Sequence, residues 1–280
     1  MKTIFKVACI ENCAENSLDV NLRTIENLVD VAIEEKPDLI CLPEFYCLLE
    51  KNDLDYVDEK YSFDRHPALL HGIEMAKKFD CWFVLGSIPV YFDKHKIKNR
   101  CVVLNPFGEI AAFYDKIHLF DVSIRDGQVY RESNSVAPGD SAVTVDLPWG
   151  CLGLTVCYDV RFAYLYRLLA KSGAHFIAIP AAFTYKTGKA HWHTLIRTRA
   201  IETGCYIFAP SQCGTRAWGR RTFGHSLIVD PWGRILAEGK GEQGVISVDI
   251  DVTVVDRVRS MIPAIDHDVE INNLRSELVK

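Results

Sequence analysis

No two of the ten cysteines stand as a C-x-x-C pair, no block of five like charges occurs, and no apolar run reaches transmembrane length in the 280 residues. The first absence argues against zinc-ribbon or thioredoxin-like chemistry, and the third against a membrane-spanning helix. A formal net charge of −5 leaves no concentrated basic face for phosphates, so nucleic acid is not an expected partner. His191 and His193 are two apart on a predicted helix, face different ways and make a poor metal pair. There is no glycine loop to cradle a phosphate, and neither a metal nor an organic cofactor is expected. Met1 to Asn12 lacks the basic, long apolar and small-residue order of a secretory signal. It reads as the first strand of a soluble cytoplasmic protein whose cysteines are reduced thiols, most of them in the core.

What is present is an internal repeat. Phe5–Ile10 reads as a strand, Asn21–Glu35 as a helix ended by Pro37, and Asp38–Leu42 as a second strand stopped by Pro43. Glu50 to Arg65 is polar and reads as loop. Helix Pro67–Lys78, strand Trp82–Ser87 and a hairpin over Arg100–Tyr114 follow, with Asn105-Pro106-Phe107-Gly108 at its turn. From Gly150 the order returns. Strand Leu152–Cys157, helix Tyr164–Ser172, strand His175–Ile179, helix Ala190–Thr203, strand Tyr206–Pro210 and hairpin His225–Glu238 repeat it, the last turning at Asp230-Pro231-Trp232-Gly233. Pro180-Ala181-Ala182-Phe183 matches Pro43-Glu44-Phe45 as strand, proline, aromatic. Each half has helices for one sheet face only. The expected fold is therefore α/β, two sheets packed face to face with helices outside, a four-layer α-β-β-α sandwich built from a duplicated half. Residues 1–250 read as one domain, and the more polar 251–280 as an arm leaving the core.

Three chemical groups project from strand ends in this arrangement. Cys157 closes the apolar run Gly153-Leu154-Thr155-Val156, Glu44 follows the second strand, and Lys116 follows the first hairpin. Singly, each has an ordinary reading: a buried small thiol, a surface carboxylate, a solvated lysine. Together they supply thiol acyl transfer, since a carboxylate can take the thiol proton and an ammonium can hold the anion formed on the substrate oxygen. Arg161 suits a substrate carboxylate or an ion pair with Asp159. Phe183, Thr184 and Thr187, beyond the strand ending near Pro180, are candidates for the pocket wall. His118 reads as a structural hydrogen-bonder beside Lys116.

Leu42-Pro43-Glu44-Phe45, Asp115-Lys116-Ile117-His118-Leu119-Phe120 and Val156-Cys157-Tyr158-Asp159-Val160-Arg161-Phe162 resemble the three signatures of the nitrilase superfamily of carbon–nitrogen hydrolases. Glu132-Ser133-Asn134-Ser135, Ala190-His191-Trp192, Arg197 to Thr203 and Gly224 to Gly233 resemble its Nit1-type branch, the deaminated glutathione amidases. The resemblance implies a Glu-Lys-Cys triad at Glu44, Lys116 and Cys157, with Glu132 positioning Lys116 or substrate. It also implies an oxyanion contact from the backbone N–H of Tyr158, no metal or cofactor, and a homodimer or larger assembly, with the 251–280 arm at its interface. The expected reaction is hydrolysis of a small carboxylate-bearing amide through a Cys157 thioester, releasing ammonia. An ω-amidase, a nitrilase or an N-carbamoyl amide hydrolase would use the same triad, and a non-catalytic scaffold would use none of it. The chain departs from the branch at Ala163-Tyr164, where proline and glutamate are usual. It departs again at His193, where glutamate is usual, and at Ile262 to Asp268, which lacks an arginine pair.

Overall fold

Strand β1 (Ile4–Glu11) is buried on both faces, and its side chains alternate between two apolar clusters: Val7 and Cys9 join one, Ala8 and Ile10 the other. The same alternation runs through β2 (Leu39–Cys41) and β3 (Trp82–Tyr91), where Leu39, Cys41 and Val84 face one way and Ile40, Phe83 and Leu85 the other. Successive strand residues point to opposite faces, so a strand apolar throughout needs a layer on each side. On one side lie helices α1 (Leu18–Ile33) and α2 (Pro67–Phe79). The other side is a second sheet. The computed structural model describes residues 3–49, 61–124 and 129–269.

The first sheet continues with β4 (Ile97–Leu104) and β5 (Ile110–Asp115), and a small separate hairpin, β6 (Asp121–Ser123) with β7 (Val129–Arg131), follows. The second sheet holds β8 (Val143–Leu147), β9 (Gly150–Leu154), β10 (Ala174–Ala178), β11 (Tyr206–Ala209), β12 (Leu227–Val229) and β13 (Ile235–Glu238). Helices α3 (Ala163–Lys171) and α4 (Tyr185–Thr203) pack on it. The last strand, β14 (Gly244–Asp251), returns to the first sheet beside β1, and helix α5 (Thr253–Met261) follows. The sheet orders are β14-β1-β2-β3-β4-β5 and β13-β12-β11-β10-β9-β8, with the central three strands parallel and the rest antiparallel. The two sheets meet at Phe5, which stacks on Trp149 at 4.4 Å and meets Phe176 edge-on at 5.2 Å. The four-layer duplicated sandwich is what the repeat predicts.

The differences lie at its margins. Both β8 and β14 are missing from the sequence reading; they flank β9 and β1 in equivalent places, so the repeat is six strands long and the first half is completed by the end of the second. Each is an edge strand with half-buried side chains and carries the matching alternation, Val143, Val145 and Leu147 in one and Ile246, Val248 and Ile250 in the other, so its signal is present in the sequence. The reading of 251–280 as an arm that leaves the core changes for α5, whose Val255 and Val258 are buried and whose Arg259 donates to the carbonyl of Ala174 at 2.7 Å. Residues 270–280, and 50–60 of the expected loop, lie outside the described residues. Helix α4 starts at Tyr185 rather than at Ala190, which puts Thr187 on its first turn.

Candidate active site

Glu44 sits in the turn after β2, held from both halves of the molecule. The amide of Phe45 donates to Ser87 Oγ at 3.0 Å, and Gln212 Nε2 donates to the carbonyls of Glu44 and Phe45 at 3.1 and 3.0 Å. Phe45 itself is forced into the left-handed region (φ 51°). The turn packs so closely that a Cβ on Gly86 would lie 1.7 Å from the Leu42 carbonyl oxygen and 2.6 Å from Pro180 Cβ. Only glycine fits there.

The Glu44 carboxylate points inward and is 3% exposed. Its Oε1 accepts from Lys116 Nζ at 2.8 Å and Asn99 Nδ2 at 2.9 Å, and its Oε2 accepts from the amide of Ala182 at 2.9 Å. Lys116 leaves the end of β5 and its ammonium is shared: both oxygens of Glu132 lie 2.9 Å from Nζ. Glu132 opens a 3₁₀ turn just after β7 and is fixed by the amide of Phe120, which donates to Oε2 at 2.6 Å. One buried cation thus stands between two carboxylates.

Cys157 comes from the other half. The sequence reading ends its strand at the cysteine, but β9 stops at Leu154 and Cys157 opens a 3₁₀ turn over Cys157–Arg161 with φ 50°. A left-handed non-glycine residue costs on the order of 1–3 kcal/mol unless its surroundings hold it. Here the Cys157 amide donates to Pro180 O at 2.9 Å, and the fully buried Asp159 caps the turn by accepting from the Val156 amide at 2.8 Å. Asp159 also reaches across to the first half. Its Oδ2 accepts from Tyr114 Oη at 2.7 Å, while its Oδ1 accepts from the His118 amide at 3.0 Å and lies 2.7 Å from His118 Nδ1. His118 is therefore the structural partner expected of it, and Asp159 is bound to it rather than to Arg161.

These contacts set the charges. Burial pushes the Cys157 thiol up, the Glu44 charge adds to this, and together they outweigh the pull of Lys116, so the thiol lies well above its usual range. Burial also acts to raise Glu44, but the Lys116 charge and hydrogen bonds from Cys157, Lys116 and Asn99 prevail and hold it below the ordinary value. Lys116, despite burial, is kept well above its usual value by Glu132 and Glu44. Glu132 is raised, because burial and the Glu44 charge exceed the effect of Lys116. The resting arrangement is a neutral thiol hydrogen-bonded to an ionised carboxylate, beside an ammonium.

Residues 6–260 match the family model described as carbon-nitrogen hydrolase. The chain belongs to the carbon–nitrogen hydrolase family. It is 36% identical over 274 residues to a deaminated glutathione amidase from Synechocystis, an alignment spanning 95% of this chain and 98% of that protein. Among solved structures it resembles the Caenorhabditis elegans NitFhit protein, with a TM-score of 0.88 and 33% identity over 95% of this chain; this carbon–nitrogen hydrolase spans 65% of that longer protein. It also resembles Saccharomyces cerevisiae Nit3, described as a member of branch 10 of the nitrilase superfamily, with a TM-score of 0.84 and 28% identity over 93% of this chain and 95% of that one. The chain is accordingly an amide-hydrolysing enzyme of the nitrilase superfamily.

A pocket opens over the thiol of this hydrolase. Glu44, Lys116, Glu132, Cys157 and Tyr158 line it together with Phe183, Thr184 and Thr187. Thr184 and Thr187 share a hydroxyl hydrogen bond at 2.8 Å, which ties the start of α4 to the preceding turn. Arg161 is not among the lining residues. Its guanidinium lies 3.3 Å from His191 Nδ1 and over the rings of Tyr158 and Phe183 at 5.7 and 5.5 Å, so it buttresses the wall from behind. Among the described residues, the arginine that lines the pocket is Arg220, on a short strap closed by the Thr215–Arg221 bridge. Asn99, Phe120, Tyr130 and Ala182 also went unforeseen. Asn99 carried no signal, since it stands between Lys98 and Arg100 at the polar end of β4.

Proposed function

We propose that this chain hydrolyses the amide of a small carboxylate-bearing substrate, deaminated glutathione foremost, through a thioester at Cys157. The observation that carries the reading is Lys116 Nζ between the buried carboxylate of Glu44 and the partly buried one of Glu132, with the Cys157 thiol against Glu44. Because the thiol is neutral at rest, attack needs a base, and Glu44 is the ionised group in contact with it. As Sγ bonds to the amide carbonyl carbon, the thiol proton passes to Glu44. The negative charge on the carbonyl oxygen is stabilised by Lys116 and the backbone N–H of Tyr158. Collapse breaks the C–N bond, Glu44 returns its proton to the nitrogen, and ammonia leaves. Glu44 then takes a proton from water, whose oxygen attacks the thioester; the C–S bond breaks, the thiol is reprotonated and the acid departs. Glu132 holds Lys116 in place throughout.

Arg220 supports a substrate that carries its own carboxylate, since a guanidinium at the pocket wall offers a charge-assisted fork. The similarity to a deaminated glutathione amidase along nearly the full length of both chains favours that substrate within the class. The same reading includes a cytoplasmic homodimer or larger assembly in which residues near the C-terminus meet the partner subunit.

Ammonia release from deaminated glutathione tests this, with α-ketoglutaramate, a nitrile and a carbamoyl amino acid alongside and Cys157→Ala as control. Strong turnover of deaminated glutathione that disappears in Cys157→Ala is expected. Activity confined to another member of the panel would keep the thiol chemistry and reassign the pocket. Equal activity in wild type and Cys157→Ala would overturn the thioester.

A further inference from the structure

Away from the thiol pocket, two imidazoles and a carboxylate converge on the outer face of the second half. His193 projects from α4, His225 precedes β12, and Glu238 ends β13. His193 Nε2 and His225 Nδ1 each lie 2.9 Å from the same oxygen, Glu238 Oε1, and the three ligand atoms all fall within 4.8 Å of one another. We propose that His193, His225 and Glu238 form a binding site for a divalent transition-metal ion of the zinc class, separate from the hydrolytic centre.

The donor set selects the ion. Two imidazole nitrogens and one carboxylate oxygen suit zinc, cobalt, nickel or copper, whereas calcium and magnesium seek mostly oxygen. A tetrahedral ion with bonds of about 2.0–2.1 Å keeps its ligand atoms roughly 3.3 Å apart. The two contacts to Glu238 need only open by a few tenths of an ångström, and the histidines close toward each other by side-chain rotation. The side chains are 34%, 32% and 38% exposed, which leaves the fourth position to water. The histidines ligate as neutral imidazoles through the nitrogens that now face Glu238, with the N–H proton on the other ring nitrogen.

The three residues are set on a fixed frame. Trp192, beside His193, donates from Nε1 to the His225 carbonyl at 2.8 Å, and the Gly239 amide donates to Ser226 O at 2.8 Å, locking the end of β13 to the start of β12. His225 is held at φ 56°, an uncommon conformation for a residue other than glycine. Its ring stacks on Phe223 at 4.5 Å, and His193 meets the same ring edge-on at 5.9 Å. Phe223 in turn presses on α4 so closely that a Cβ at Gly188 would lie 2.2 Å from its own Cβ. An ion here would staple α4, which carries Thr187, to the segment that carries Arg220. His191 and His193 do face different ways, as the sequence implies, and His191 meets Arg161 instead. The cluster arises from residues 32 and 45 positions apart from His193, beyond any local spacing.

Calorimetric titration with zinc chloride tests the site, using a Cys157→Ser background to remove the reactive thiol, with parallel thermal melts. We expect a zinc-binding event that raises the melting temperature. His193→Ala and His225→Ala, each checked for native circular dichroism, should weaken it by more than about tenfold and abolish the thermal shift. His191→Ala should bind as the parent does, and calcium chloride should give no heat above dilution. Parent-like zinc affinity in both the His193→Ala and His225→Ala proteins, or no zinc binding by the parent, would overturn the proposal.

Discussion

At the ends of β2 and β10 the chain makes the same move, a proline followed shortly by an aromatic, with opposite chemical results. Pro43-Glu44-Phe45 delivers a buried carboxylate, whereas Pro180-Ala181-Ala182-Phe183 delivers a backbone amide that donates to that carboxylate at 2.9 Å. The division extends through the site. The first half contributes Glu44, Asn99 and Lys116, with Glu132 from the stretch between the halves, while the second contributes Cys157, the Ala182 amide and the pocket wall at Phe183 and Thr184. Duplication therefore supplied two similar rims, and divergence placed the ionic cluster on one and the thiol on the other. The apolar interface between sheets, around Phe5, Trp149 and Phe176, brings them into register. Neither half holds a complete site.

The largest way to break this division is to remove the cation. In Lys116→Ala one buried and one partly buried carboxylate are left without their counter-charge, Glu44 at 4% and Glu132 at 13% side-chain exposure. Loss of the oxyanion partner should lower kcat/KM by about 100- to 1,000-fold. Breaking a buried ion pair from one side should destabilise the fold by about 3–5 kcal/mol. The destabilisation has a definite pH sign. Without Lys116, burial raises both carboxylates above their unfolded values of about 4.3, so their contribution is favourable below that pH and lost as pH rises through the folded values. Urea denaturation should show the gap from wild type narrowing between pH 7.5 and pH 5. A gap that widens on acidification would show that Lys116 does not compensate this pair.

Much of the division is legible in the sequence, for a physical reason. Glu44, Lys116 and Cys157 are reactive residue types where apolar runs stop, and a run's end is visible in one dimension. What escaped depends on contacts across the fold. The role of Asp159 rests on Tyr114 and His118, 45 and 41 residues away. Arg220 rather than Arg161 lines the pocket because tertiary structure brings its strap to the same cavity as Cys157, and nothing in its neighbours marks that path. β8 and β14 do show the period-2 alternation of half-buried strands, but they lie outside the strand-helix order that the two halves share in sequence, so the repeat did not point to them. The left-handed turn at Cys157 replaced a straight strand end because the Pro180 carbonyl and the Asp159 carboxylate both hold it, and those partners again come from tertiary structure.

Asp159 tests whether the two rims are coupled or merely adjacent. It is the buried tie between the cysteine turn and the segment carrying Lys116, and all of its acceptor capacity is used. Asp159→Asn replaces one acceptor oxygen with a donor that must face either the Val156 amide and Tyr114 hydroxyl or the His118 side. A misplacement near 1 Å at a reacting centre can cost about 100-fold in rate, and that loss is expected in kcat with KM little changed. Asp159→Ala should not restore kcat. A wild-type kcat in Asp159→Asn would mean that the sheet interface alone aligns the rims.

The smallest effect should separate Arg220 from Arg161. Arg220 lines the pocket, while Arg161 stands behind it against His191, Tyr158 and Phe183. A charge-assisted hydrogen bond contributes about 1.5–3 kcal/mol, so Arg220→Ala should raise KM for a carboxylate-bearing amide by about tenfold or somewhat more. The same change should leave KM for a neutral amide of similar size nearly unaltered, because that substrate has no charge to lose. Arg161→Ala should disturb both substrates alike, since it loosens packing under Tyr158 and Phe183 rather than removing a partner of the substrate. If the discrimination between charged and neutral amides instead fell with Arg161 and survived loss of Arg220, recognition would belong to the nucleophile's own turn. The second half would then supply both attack and selection from one short segment, and the strap carrying Arg220 would be only a wall.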